Sequence, residues 1–254
     1  MVRLIEEKRE QGTFLTVLGF GRGNLKDSKM EQMADRGNGN YAYIDNLLEA
    51  RKVLVNEVGG TLLTVAKDVK LQVEFNPARV RAYRLIGYEN RLLANEDFND
   101  DTRDAGDMGA GHTVTALYEI IPVGARSDVR VRGVDEPRYQ VPAVPATVSR
   151  GSELAFVKIR YKLPDGRTSR LMEEPVRAGR GAVSRDLDFA AAVAGFGMLL
   201  RESEHAGTLT LPEVIRLAER SRGPDPDGYC AEFIRLAHLF GDLRQPGRSG
   251  DDER

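Results

Sequence analysis

The spacing of apolar positions changes twice along the chain. Over the first sixty residues, short apolar runs alternate with amphipathic ones. VRLIEEKRE (2–10) suits a charged helix, and TFLTVLGF (13–20) is a near-continuous apolar run of the kind carried by a strand buried on both faces. GRGN then turns the chain, SKMEQMADRG predicts a helix closed at Gly37, and NYAYI (40–44) predicts a second short strand. Asp45 stands where it could cap LLEARKVLVNEV, whose Leu47, Leu48, Leu54, Val55 and Val58 gather toward one face before Gly59-Gly60 stops the helix. An α-β-α-β-α order predicts parallel strands joined by crossover helices. Two strands are too few to bury such a layer, so the unit reads as incomplete on its N-terminal side.

From residue 61 the period drops to two. In AKDVKLQVEF, Val69, Leu71, Val73 and Phe75 alternate with Lys70, Gln72 and Glu74, which predicts a half-buried antiparallel strand. RVRAYRLIGY (79–88), HTVTALYEIIP (112–122) and LAFVKIRYKLP (154–164) behave similarly, and Pro164-Asp165-Gly166 leads into RTSRLMEE to make 154–174 a hairpin. Residues 124–151, rich in Pro, Arg and Val, read as a long connection between strands. Short strands with turn signals predict a β-sandwich. After Gly181 the pattern becomes helical: DLDFAAAVAGFGMLLRESEH, then VIRLAERSR behind a Thr210–Glu213 capping box, then GYCAEFIRLAHLFGDL. Three such helices are expected to cap the sandwich. The expected class is α+β: a partial α/β layer at 1–60, a β-sandwich at 61–182, a helical region at 183–243 and a disordered tail at 244–254.

Composition narrows the function. Of 254 residues, 37 are Lys or Arg and 39 are Asp or Glu, a formal charge of -2 with the basic groups interleaved among acids, so no basic face for nucleic acid is expected. The single Cys230 allows no internal disulfide and no thiolate-based zinc site. No apolar run approaches the roughly 18 residues of a membrane span, and the charged start MVRLIEEKREQG has no apolar core of a signal peptide.

Three places invite chemistry. NEDFNDDTRDAGDMGAGH (95–112) sets Glu96, Asp97, Asp100, Asp101, Asp104 and Asp107 against one base, Arg103. Counted as an EF-hand from Asp97, with Asn99 and Asp101 at the third and fifth positions, it fails where Thr102 replaces the required glycine and Met108 the bidentate glutamate. It reads instead as an acidic connection between strands 79–88 and 112–122, with an irregular calcium site as the alternative. GFGRGN (19–24) follows a strand and precedes a helix, yet position 24 of a G-x-G-x-x-G fingerprint is Asn24, and no GK[ST] follows. A turn is expected there, and a nucleotide site is the weaker rival. His112, His205 and His238 fall in different segments, Cys230 and His238 lie about two helical turns apart, and Ser28, Ser152 and Ser184 have no nucleophile-elbow context. No catalytic, cofactor or metal residue is assigned.

The run EEKREQGTFLTVLGFGRGNLKDSKMEQMADRGNGNYAYIDNLLEARKVLVNEVGGTL resembles the last third of a bacterial von Willebrand factor type A (VWA) domain. Its continuation through HTVTALYEIIP looks like the uncharacterised domain that follows VWA in a group of bacterial envelope proteins, so the likeness covers about residues 4–122. The resemblance implies a non-enzymatic protein-interaction role at the cell envelope. VWA domains bind partners through a metal-ion-dependent adhesion site built on D-x-S-x-S, then a Thr and an Asp from later loops. Neither Asp27-Ser28 nor Asp188-Phe189 fits that motif, so no metal residue carries over, and the chain reads as a fragment holding the last strands and helices of the fold. A protein partner of unknown identity is expected, with no nucleic acid and no direct membrane insertion. A homodimer through the exposed α/β edge would cover what truncation leaves bare.

Overall fold

The computed structural model describes residues 2–21, 23, 25–57, 59–60, 63–88, 92–103, 105–126, 151–179 and 181–244. The long connection expected at 124–151 and the tail expected at 244–254 lie outside these apart from their end residues. Helices, a parallel strand pair and antiparallel sheet together make the chain an α+β protein. It divides into two units: residues 1–81, 91–114 and 122–178, and residues 82–90, 115–121 and 179–254.

The first unit opens with α1 (Val2–Glu10), β1 (Val17–Phe20), α2 (Asp27–Arg36), β2 (Tyr41–Ile44) and α3 (Leu47–Arg51). β1 and β2 pair in parallel from Val17 opposite Tyr41 to Phe20 opposite Ile44, as the alternation of helical and strand patterns requires. Among the described residues, Ile5, Ala34 and Ile44 are the buried apolar groups of this layer. Gly39 permits the crossing before β2: a Cβ there would fall 1.9 Å from the Leu15 carbonyl oxygen. The cap of α3 is Asn46, not Asp45. The Asn46 side chain accepts the Glu49 N–H at 3.0 Å, while the Asp45 carboxylate is taken by the Asn46 side-chain amide. The helix then passes into a π-helical turn at Lys52–Asn56.

Five further strands and one short one follow: β3 (Thr64–Phe75), β4 (Val80–Ile86), β5 (Gly106–Gly109), β6 (Leu117–Pro122), β7 (Glu153–Lys162) and β8 (Arg170–Arg177). Four of them form one antiparallel sheet in the order β5-β3-β7-β8, and the hairpin expected at 154–174 is its β7–β8 pair. β4 pairs with β6 in a separate two-stranded sheet, so the strand patterns expected to build a sandwich divide between the two units. Period-two patterning reports which side of a strand is apolar, not which strand it will pair with.

Register places Leu71, Ile159 and Met172 in one row and Lys70, Arg160 and Leu171 in the next, on the opposite face. In β3 burial is inverted from the usual sense, while Leu171, in the Lys70 row, is half exposed. Lys70 is 4 % exposed, whereas Leu71 is 43 % and Met172 56 % exposed. A bulge between Lys67 and Lys70 holds Asp68 at φ +50°, in the left-handed region that Asp tolerates better than most residues.

The second unit carries α4 (Arg185–Leu200), α5 (Leu211–Ser221) and α6 (Tyr229–Arg244). Ser184 caps α4 by accepting the Leu187 N–H. Ala192, Val214 and Ala218 form the buried centre, with Phe189, Phe196 and Phe233 around it. The rings of Phe189 and Phe196 each meet Phe233 edge to face at 5.5 Å. Gly195 lets α4 approach its neighbours, since a Cβ there would lie 2.9 Å from Leu209. The capping pair of α5 is present: the Glu213 carboxylate accepts both the N–H and the hydroxyl of Thr210, which holds its pKa below the ordinary glutamate value.

Candidate functional site

The acidic stretch is more than a connection. It contains a 3-10 turn at Asn95–Asn99, whose Phe98 is 4 % exposed, and then β5, which adds a strand to the edge of β3. Lys70 reaches this turn from the sheet and donates to the main-chain carbonyls of Asp97 and Asp100. The carboxylates have other duties. Asp97 pairs with Arg103 at 3.1 Å, and Asp100 accepts the Thr102 N–H and hydroxyl at 2.8 and 2.7 Å. Asp101 takes Arg160 on one oxygen and the Ser169 N–H on the other, and Arg160 also donates to Asn99. Lys162 bridges the Asp68 carboxylate and the Asp101 carbonyl, while Asp107 accepts the Asp68 N–H.

These contacts set the electrostatics. The hydroxyl and amide of Thr102 hold the Asp100 carboxyl below the usual aspartate value, and those of Ser169, helped by Arg160 and Lys162, do the same for Asp101. Internal donors thus take up oxygens that a calcium ion would need, and the carboxylates of Asp97, Asp100, Asp101 and Asp107 each turn to their own partners. Among the described residues no three His, Cys, Asp or Glu side chains converge in a way that could hold a metal. Sequence reasoning noticed the acids but missed Asp68, Lys70, Arg160, Lys162 and Ser169. No local signal marks them, because the Lys70–Asp97 contact spans 27 residues and the Lys162–Asp101 contact spans 61.

The glycine stretch turns the chain. Gly21 sits at φ +86° and its carbonyl accepts the Tyr43 hydroxyl at 2.7 Å. The first turn of α2 carries Asp27, bonded by the Tyr41 hydroxyl, and this bond pushes the Tyr41 pKa up to about 12. A phosphate approaching that helix end would meet the Asp27 carboxylate where bound anions need exposed amides.

The histidines are not brought together. His112 belongs to the first unit, where its Nδ1 accepts the Gly109 N–H at 3.3 Å. It lines a cavity of about 260 Å³ with Leu18, Tyr41, Val53 and Glu57. His205 stands 3.6 Å from Glu204, and His238 lies 3.5 Å from Glu219. Cys230 is half-buried, and burial, with Asp225 nearby, pushes its thiol pKa up, away from the reactive thiolate. Ser28 and Ser152 are exposed, and Ser184 is spent as a cap.

Residues 60–243 match the family model described as "Uncharacterized protein YfbK, C-terminal". The chain belongs to this family. The acidic stretch, the four-stranded sheet and the three helices all lie within the matched YfbK C-terminal segment, whereas α1 to α3 and the β1–β2 pair precede it. A curated relative, "Uncharacterized protein YfbK" of Escherichia coli (strain K12), is 45 % identical over 236 residues, which is 93 % of this chain and 40 % of that protein. The chain therefore spans less than half the length of this YfbK relative. No solved structure matches it.

Proposed function

We propose that the chain is a non-enzymatic protein-interaction or scaffolding module of a VWA-type envelope protein. The observation that supports this best is the use made of its reactive groups. The carboxylates of Asp97, Asp100, Asp101 and Asp107 bond internal arginines, hydroxyls and amides, and the three histidines are dispersed. An active site needs a nucleophile, base and orienting group within mutual reach, whereas a scaffold needs surfaces and rigid loops. The parallel β1–β2 pair between helices supports reading residues 1–60 as the closing part of a VWA layer. Placement at the envelope rests on the resemblance alone; among the described residues no helix is long and apolar enough to cross a membrane.

Calorimetric titration with ATP, GTP and NAD is the test, and no saturable heat is expected up to millimolar ligand. Micromolar binding would replace this reading with that of a nucleotide-binding enzyme. The calcium-stabilised adhesion module is separated by melting the chain with millimolar calcium and with chelator. An unchanged midpoint is expected, because a ligand that binds the native state must raise stability. A homodimer through the open side of the β1–β2 pair belongs to the same proposal and predicts concentration-dependent mass by light scattering.

A further inference from the structure

We propose that the open side of the α4–α6 helix pair is a self-association surface, on which a second copy of this chain lays its own α4 and α6. This goes beyond the interaction reading, whose dimer forms at the β1–β2 edge, and either surface can fail without the other. The face is located, within the second unit, by what already surrounds each helix. On α4, Ala192 and Gly195 turn to α5, where both come against Val214. Phe189 and Phe196 meet Phe233 and Phe240 of α6, and Met198 receives the Arg84 guanidinium of β4 at 3.5 Å. On α6, Gly241 faces Leu211 of α5 and Ala237 is fully buried. At about 100° per residue, these contacts leave five side chains on the side of the α4–α6 seam away from α5. They are Val193 and Leu200 of α4 and Leu236, Leu239 and Leu243 of α6, which are 44 %, 48 %, 45 %, 47 % and 78 % exposed. Leu187 is exposed too, but on another side of α4.

A helix that is apolar beyond its packed side is patterned for a further neighbour. The occupant follows from the charges beside the stripe. Arg235 and Asp242 are seven residues apart, so they stand in line on the outer flank of the three leucines, and both are exposed. Arg235 pairs with Glu232 on its own helix, and Asp242 has no ion pair among the described residues. A two-fold axis crossing α6 near Leu239 lays the second α6 antiparallel on the first. Arg235 of each copy then comes opposite Asp242 of the other, and the leucines interleave between them. One patch thus matches itself when reversed, which is what an isologous contact requires. The leucines supply the affinity, and the two charge pairs fix the orientation. An apolar centre with a rim of both signs is the anatomy of a specific interface.

Analytical ultracentrifugation of the whole chain across the micromolar range tests this. The parent is expected to dimerise, and the double variant Leu239→Glu/Leu243→Glu to stay monomeric with an unchanged far-UV circular dichroism spectrum. Charge exchange supplies the second arm, on a flank where folding is not at stake. Arg235→Asp and Asp242→Arg each create two like-charge contacts per dimer and should weaken association about tenfold at low salt. Mixing these two single variants re-creates both opposite-charge contacts and should restore the parental affinity. A parent that remains monomeric throughout overturns the proposal. So does a dimer that survives the leucine double variant and ignores charge exchange, as one formed at the β1–β2 edge would; that outcome leaves the interaction reading standing. Single variants that weaken the dimer and do not recover on mixing refute it as well, because a partner does not repair a structural defect. Micromolar nucleotide binding would sink the interaction reading without changing any association constant.

Discussion

Lys70→Met tests whether the acidic turn is held by the sheet or merely rests on it. Methionine keeps most of the length and apolar volume of the lysine stem and removes the ammonium. Lys70 is 4 % exposed and donates to the carbonyls of Asp97 and Asp100. Each hydrogen bond from a charged group contributes about 1.5–3 kcal/mol. Against this, removing a desolvated ammonium returns part of its burial penalty, and apolar replacements of buried charges are sometimes neutral. Both carbonyls also accept a turn amide, Asp100 N–H to Asp97 at 3.2 Å and Arg103 N–H to Asp100 at 3.3 Å, so the loss is confined to the two charged bonds and still exceeds the relief. A net destabilisation of about 1–2 kcal/mol is expected, which for a chain of this size corresponds to about 2–8 °C in Tm. Urea unfolding measures the first, and hydrogen exchange across residues 95–103 locates it, since the turn should open before the sheet. Lys70→Arg, which keeps a cationic donor, should recover more than half of the loss. A Lys70→Met protein as stable as the parent, with exchange in the turn unchanged, would refute the reasoning.

Three other outcomes follow from the same geometry. Asp100 and Asp101 have folded pKa values below the ordinary value of 3.8, so their contribution is complete above about pH 4 and is lost as pH falls through the lower folded values; Asp101→Asn should flatten the acid limb of a stability–pH curve, and an unchanged limb counts against the Ser169–Arg160 network. Val214→Ala removes two carbons from a side chain 1 % exposed, beside Ala192 and Ala218, and should cost about 2–3 kcal/mol once the cavity is included. This loss should appear in exchange of α4 to α6, and a cost below about 0.5 kcal/mol would mean that the helices repack around the gap. Glu213→Ala deletes the capping carboxylate of α5 and should lower stability by about 0.5–1 kcal/mol, read by urea midpoint, with faster exchange in the first turn of that helix.

What was legible in the sequence divides by range. The order of elements could be read wherever a pattern repeats within a few residues: the alternation of β1, α2, β2 and α3, the Pro164-Asp165-Gly166 hairpin, the Gly37 stop and the Thr210–Glu213 pair all depend on neighbours. The cap at 45–46 shows the limit even there. Asp45 and Asn46 are both competent acceptors, and only the extended backbone of Asn46, at φ −148°, decides between them. The site was less legible still. Alternation in β3 says that Lys70 and Leu71 point to opposite sides, and hydrophobicity then assigns the leucine to the interior. That assignment assumes a single core. It fails here because the covering layer on the described side is an acidic turn supplied from residues 95–101, which satisfies a lysine and not a leucine. Inverted burial therefore carries information that no local pattern contains.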